Sequence, residues 1–146
     1  MTKTELTLFA TGFDGEFFFD DLHKTLYATD ASVYRKMPLA VAFPKSEVAI
    51  KQLILFAAKN NTSLIPRTAG TSLAGQCMGE GLVVDVSNYF TKIISIDPET
   101  QPAPVQPGVI RVELNAALHP SGLSFGPNTS TSHRCMTRPR ISNNPS

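Results

Sequence analysis

Cysteine is scarce in this chain, and long apolar runs are missing altogether. Cys77 and Cys135 are the only thiols. Neither sits in a C-x-x-C pair, which excludes a zinc ribbon or a redox dithiol, and two reduced thiols are the expectation. A membrane-spanning helix needs roughly 20 consecutive apolar residues, and no stretch approaches that, so no span is expected. Met1-Thr2-Lys3-Thr4-Glu5 lacks the basic and then apolar layout of a secretory leader, which makes a cytoplasmic location the expectation. Net charge is almost absent too. Thirteen basic residues against twelve acidic ones leave +1, and that balance asks for neither nucleic acid nor a membrane surface. His23, His119 and His133 show no metal-ligand spacing, so no metal site is expected. No Gly-Lys-Ser/Thr ending marks a nucleotide triphosphate loop, and no G-x-G-x-x-G opens a helix.

What remains suits one folded domain, with 42% hydrophobic and 17% charged residues in 146. Phe9, Phe13, Phe17, Phe18 and Phe19 cluster near the start. Gly12, Asp14 and Gly15 break that run, which predicts a short element, a turn and a second short element with the rings used for packing. Residues 20–27 predict one or two helical turns, with acidic residues at the start where the helix dipole favours them. Residues 28–34, small and polar, predict irregular chain.

Leu39-Ala40-Val41-Ala42-Phe43 reads as a short strand ended by Pro44. Ser46 is a good N-cap, Glu47 lies in the first turn, and the apolar spacing predicts a helix from 46 to 59 stopping at Asn60-Asn61. A strand at 63–66 completes a βαβ unit, which is expected to cross right-handed. Gly81-Leu82-Val83-Val84-Asp85-Val86 is the clearest strand, Ile93-Ile94-Ser95-Ile96-Asp97 the next, and a helix is expected over about 111–119, closed by Pro120 and Gly122.

The segment that organises the rest is Pro66-Arg67-Thr68-Ala69-Gly70-Thr71-Ser72-Leu73-Ala74-Gly75-Gln76. It leaves the C-terminal end of the 63–66 strand, a place where ligands often sit in open α/β sheets. Its glycines let backbone approach a ligand closely, consecutive amides can form a concave anion site, and Thr68, Thr71 and Ser72 add hydroxyl donors. The residues alone fit two readings: a polar surface loop, or a loop for a diphosphate group. Gly126-Pro127-Asn128-Thr129-Ser130-Thr131-Ser132 is a second hydroxyl-rich stretch, equally compatible with a solvated linker.

Taken together and in order, several motifs carry a resemblance. They are Tyr27-Ala28-Thr29-Asp30-Ala31-Ser32-Val33-Tyr34, Pro44 ahead of the helix, Pro66 to Gln76, Val84-Asp85-Val86-Ser87, Val105-Gln106-Pro107-Gly108-Val109 and Leu123 to Thr131. From about residue 20 to 136 the chain resembles the N-terminal part of the FAD-binding domain of FAD-linked oxidases, the vanillyl-alcohol-oxidase-type flavin fold. It is similar in particular to D-lactate dehydrogenase, the glycolate oxidase flavoprotein subunit and large bacterial oxidases that join this domain to an iron–sulfur module.

The resemblance implies an α+β fold, a βαβ unit plus a second small sheet, incomplete at the C-terminus. It implies an extension over 1–38, the FAD-binding domain over 39–136 and a tail over 137–146. It also implies that Arg67, Thr68, Ala69, Gly70, Thr71, Ser72, Leu73, Gly75 and Gln76 wrap the FAD diphosphate. Pro107, Gly108 and Val109 would lie near the adenine and ribose, and Pro127, Ser130, Thr131 and Ser132 in a second cofactor loop near the flavin ring and diphosphate. Thr71 stands where some relatives tether the flavin through a histidine, so FAD is implied to be non-covalent. The reaction implied for the parent protein is oxidation of a 2-hydroxy acid or related alcohol by hydride transfer to FAD, and no residue here is assigned as a catalytic base.

The chain departs from the family at its end. An Ile-Gly-Gly-Met segment and a Gly-Asn-Asn stretch are replaced by Thr137-Arg138-Pro139-Arg140 and Ser142-Asn143-Asn144. Arginine and proline cannot take those glycines' backbone angles, so the last ten residues are expected to be a truncation artefact. A rival expectation is a cofactor-free fragment without activity that self-associates, as a homodimer, through uncovered sheet edges and apolar surface.

Overall fold

The computed structural model describes residues 2–97, 103–126 and 135–136. In chain order its elements are α1 (Lys3–Thr11), β1 (Gly15–Phe18), α2 (Asp21–Leu26), β2 (Ala40–Pro44), α3 (Glu47–Lys59), β3 (Leu64–Arg67), β4 (Leu82–Asp85) and α4 (Arg111–Leu118), with a 3-10 turn, His119–Ser121, after α4. The helix expected over 46–59 is α3. Ser46 caps it, its Oγ accepting the Ala49 N–H at 3.1 Å and satisfying one of the donors that a helix start leaves open. Ala49, Leu53 and Ala57, four residues apart, form its buried stripe.

Across the sheet the order is β1-β2-β4-β3. β4 pairs in parallel with both β2 and β3, while β1 runs antiparallel to β2. The β2–α3–β3 unit is therefore present, but its two strands are not neighbours, because β4 lies between them. The side chains account for that order. Every residue of β4 is buried, as a central parallel strand requires. In β3 the carbonyl of Arg67 accepts the Val86 N–H and that of Ser63 accepts the Leu82 N–H, so odd-numbered groups face β4 and position 66 faces outward. Proline has no N–H to offer a ladder, and Pro66 sits at the edge position where that omission costs nothing.

The two faces of the sheet are covered differently. Ala42, Val84, Ala49 and Leu53 meet on the α3 side, joined by Phe13 and Phe90. Val41, Phe43, Ile65 and Val83 pack on the opposite face, where Tyr27, Phe18 and Tyr89 cover them. The aromatic N-terminus is used for packing as the sequence suggests, with the Phe9 ring 4.1 Å from that of Phe56 and 5.2 Å from that of Phe17. The extension is not only a cover, since its β1 supplies the outer strand beside β2.

Residues 93–97 do not form a ladder. Among the described residues they make one antiparallel bridge, Ile93 with Val105, flanked by Ile94 N–H to Pro104 O and Gln106 N–H to Lys92 O, both at 2.9 Å. Pro104 and Pro107 bracket the bridge and lack the N–H groups that would extend it. A second bridge, Ile110 with Met136, is the other trace of the expected second sheet. A separate apolar cluster of Val109, Leu114 and Leu118 lies under these segments. Among the described residues no helix is long and apolar enough to cross a membrane.

Candidate functional site

At the C-terminal ends of β3 and β4 the chain opens into the loop of residues 68–77. Gly70 and Gly75 occupy the left-handed region, with φ of 65° and 71°, where a side chain would be strained. The second half of the loop closes on itself. Ser72 is 2% exposed, and its Oγ accepts the N–H groups of Ala74 at 3.2 Å and Gln76 at 3.3 Å while donating to Gln76 Oε1 at 3.3 Å. The first half does not. The N–H groups of Ala69, Gly70, Thr71, Ser72 and Leu73 donate to no acceptor among the described residues.

The loop is held from the face of the sheet opposite α3. Arg67 Nη1 donates to the carbonyls of Thr29 (2.8 Å) and Cys77 (3.4 Å), and its guanidinium carbon lies 4.8 Å from the centre of the Tyr27 ring. Tyr27 in turn donates its hydroxyl to Asp85 Oδ2 at 2.7 Å, and Asp85 Oδ1 accepts the Ser87 N–H at 2.8 Å. Burial, and then the bond to Asp85 and its charge, push the Tyr27 hydroxyl far above its ordinary pKa, against a smaller opposing pull from Arg67. The phenol therefore stays protonated and keeps donating. Ala31 N–H donates to Gly70 O at 3.2 Å. These contacts make residues 27–34 one wall of the loop.

The turn at Pro107, Gly108 and Val109 reaches the same end of the sheet by packing on the segment that leaves β4. Its donors are already committed. Gly108 N–H donates to Phe90 O at 2.8 Å and Val109 N–H to Gln106 O at 3.1 Å, while Pro107 has none. Val109 is 1% exposed and belongs to the cluster with Leu114 and Leu118. A Cβ on Gly108 would lie 2.7 Å from Phe90 O and 3.0 Å from the carbonyls of Ser87 and Val86. Pro127, Ser130, Thr131 and Ser132 lie outside the described residues, as does the tail over 137–146.

Tyr27, Thr29 and Asp85 were given no role by sequence reasoning, yet they support the loop. One signal pointed there. Asp85 ends the apolar run Leu82-Val83-Val84, and a carboxylate buried to 4% exposure needs a donor brought to it from elsewhere.

A run of open amides, with the hydroxyls of Thr68 and Thr71 and no acidic residue between 68 and 76, is a donor set for an anion. The comparisons agree with that chemistry. The sequence pattern of the family described as FAD binding domain matches residues 38–138. The D-2-hydroxyglutarate dehydrogenase of Pseudomonas putida is 36% identical over 127 residues, covering 85% of this chain and 13% of that protein. The glycolate oxidase subunit GlcD of Bacillus subtilis is 33% identical over 117 residues, covering 77% of this chain and 25% of that protein. Among solved structures, an alkyldihydroxyacetonephosphate synthase superposes with a TM-score of 0.81 at 18% identity, over 97% of this chain and 29% of that one. That likeness speaks for the fold, the α+β flavin-binding fold of the vanillyl-alcohol-oxidase type. The chain thus spans a small fraction of the length of the proteins it matches.

Proposed function

The chain belongs to the FAD binding domain family, whose cofactor is FAD, and from that premise we propose that residues 67–76 hold the FAD diphosphate. The observation that carries the reading is the run of N–H groups from Ala69 to Leu73 with no acceptor among the described residues, on a loop that leaves β3 at the C-terminal end of the parallel strands, where ligands often sit in open α/β sheets. Thr68 and Thr71 add hydroxyl donors. Ser72 shapes the second half of the loop, and Gln76 keeps that hydroxyl oriented. Because the N–H groups of Gly108 and Val109 are engaged, the 107–109 turn offers the adenine and ribose a packed surface and carbonyl oxygens rather than amide donors. Pro127, Ser130, Thr131 and Ser132 are proposed as the second cofactor loop. Thr71 carries a hydroxyl in place of an imidazole, which favours non-covalent binding.

FAD, when bound, supplies the hydride acceptance that oxidises an alcohol carbon, while the protein orients the cofactor and sets its surroundings. Two of the relatives, a D-2-hydroxyglutarate dehydrogenase and a glycolate oxidase subunit, carry a 2-hydroxy acid in their names, and the parent protein is proposed to oxidise a substrate of that class. This chain's part is cofactor binding, and no residue in it is assigned to proton abstraction. Self-association through the β3 edge is disfavoured by Pro66, which breaks the outward row of donors.

Titration of the protein with FAD tests the reading. A saturable quench of flavin fluorescence is expected, with all flavin released on denaturation. A well-folded protein that leaves flavin fluorescence unchanged at every concentration contradicts it, and flavin that remains attached after denaturation contradicts the non-covalent mode.

A further inference from the structure

Arg67 is placed where a phosphate ligand is expected, yet its Nη1 is committed to the protein itself. Nη1 reaches two backbone carbonyls, that of Thr29 in the neighbouring wall and that of Cys77 at the end of the loop. The guanidinium carbon lies over the Tyr27 ring, 4.8 Å from its centre, and that ring is fixed by its hydroxyl bond to the buried Asp85. Gly70 rests directly on the guanidinium. A Cβ there would stand 2.5 Å from Nη2 and 2.9 Å from Cζ.

We infer that Arg67 is a positioning residue, an internal strut that holds the loop's amides in place and serves the diphosphate through that scaffold rather than by its own charge. The inference rests on the reading of residues 67–76 as the diphosphate loop. It explains three features together. Gly70 has no side chain because the strut occupies that space. Tyr27 is a tyrosine because its ring supports the cation while its hydroxyl is anchored at the end of β4. An arginine is needed because a planar fork can hold a carbonyl while lying on a ring, and an ammonium cannot do both. Association with a preformed loop also avoids the ordering cost that a slack one would impose.

The test uses the 146-residue chain with Arg67→Lys and Arg67→Gln, read by backbone order parameters without FAD and by FAD affinity across a salt series. In the wild type the amides of Ala69 to Leu73 are expected to be rigid, with order parameters near about 0.85, and to fall toward about 0.6 in both variants. FAD affinity is expected to drop by a similar factor in both, with the salt dependence keeping its wild-type slope. Near-normal order and binding in the lysine variant, with a flattened salt dependence in the glutamine variant, would show the charge itself acting on phosphate and overturn the strut. Order parameters unchanged in both variants overturn it as well. Failure of the wild type to take up FAD refutes the diphosphate reading alone, because the order parameters judge the strut without ligand. If Arg67→Gln does not fold, Tyr27→Leu replaces it: the same loss of order supports the strut, and unchanged order contradicts it.

Discussion

Two glycine turns meet at one end of this sheet, and they use glycine for opposite purposes. In the 68–77 loop, Gly70 and Gly75 adopt positive φ, and the N–H groups from Ala69 to Leu73 have no acceptor among the described residues. In the 107–109 turn, Gly108 does not have positive φ, and its N–H is tied to Phe90 O. It is glycine because three carbonyls crowd the place of its missing Cβ. The first turn leaves donors without acceptors among the described residues, and the second ties chain segments together. Equal glycine spacing in a sequence carries no such distinction; it lies in the backbone angle and in where each N–H goes.

The sharpest way to break the contrast is Gly70→Val. A β-branched residue at φ of 65° and against the Arg67 guanidinium should weaken FAD binding on the order of 100-fold, the factor that about 3 kcal/mol of strain represents. Circular dichroism should show α3 intact. Unchanged affinity in that variant would remove the loop from the site.

Gly108→Ala should do the reverse. Overpacking against backbone carbonyls is expected to cost about 1–3 kcal/mol of stability in urea unfolding, while FAD affinity of the folded protein changes by less than about tenfold. A large affinity loss with normal stability would make the two turns equivalent.

Ser72→Ala tests the closed half of the loop. Removing Oγ takes the acceptor from the Ala74 and Gln76 N–H groups, and a loss of about 1–2 kcal/mol is expected, with FAD affinity falling by roughly tenfold or less. Restoration by Ser72→Thr would confirm that the hydroxyl is what matters.

The smallest effect concerns pH. The Tyr27 hydroxyl has its pKa raised by folding, from an ordinary 10.0. A raised folded pKa means stability fully present below about pH 10 and lost as pH climbs toward the higher folded value. Tyr27→Phe should lose about 1 kcal/mol at pH 7 through the missing bond to Asp85. Above pH 10 the gap between the two proteins should narrow, as followed by urea midpoints. A gap that stays constant from pH 7 to 11 would show that the hydroxyl does not titrate as described.

Much of the frame was legible because it depends on local rules. Ser46, Glu47 and the apolar spacing after them specify α3, and Leu82 to Val84 can only be a buried strand. Strand order was less accessible. β3 and β4 are both short parallel strands, and only Pro66, which needs an edge, hints that β4 is the inner one. The 93–97 segment reads as a strand because it is rich in isoleucine. What limits it to a single bridge is the partner segment, where Pro104 and Pro107 withhold donors.

The loop itself was legible as a cluster of glycines and hydroxyls, and the resemblance supplied FAD. Its support was not legible. Arg67 meets Thr29 across 38 positions and Tyr27 meets Asp85 across 58, contacts that no periodicity announces.

The most direct test of the central claim is the amide spectrum of the 15N-labelled protein during an FAD titration. The resonances of Gly70, Thr71, Ser72 and Leu73 should move together and saturate, while the hydrogen-bonded amides of Gly108 and Val109 move far less. Saturating FAD that shifts other amides and leaves those four in place would show that the loop does not hold the diphosphate.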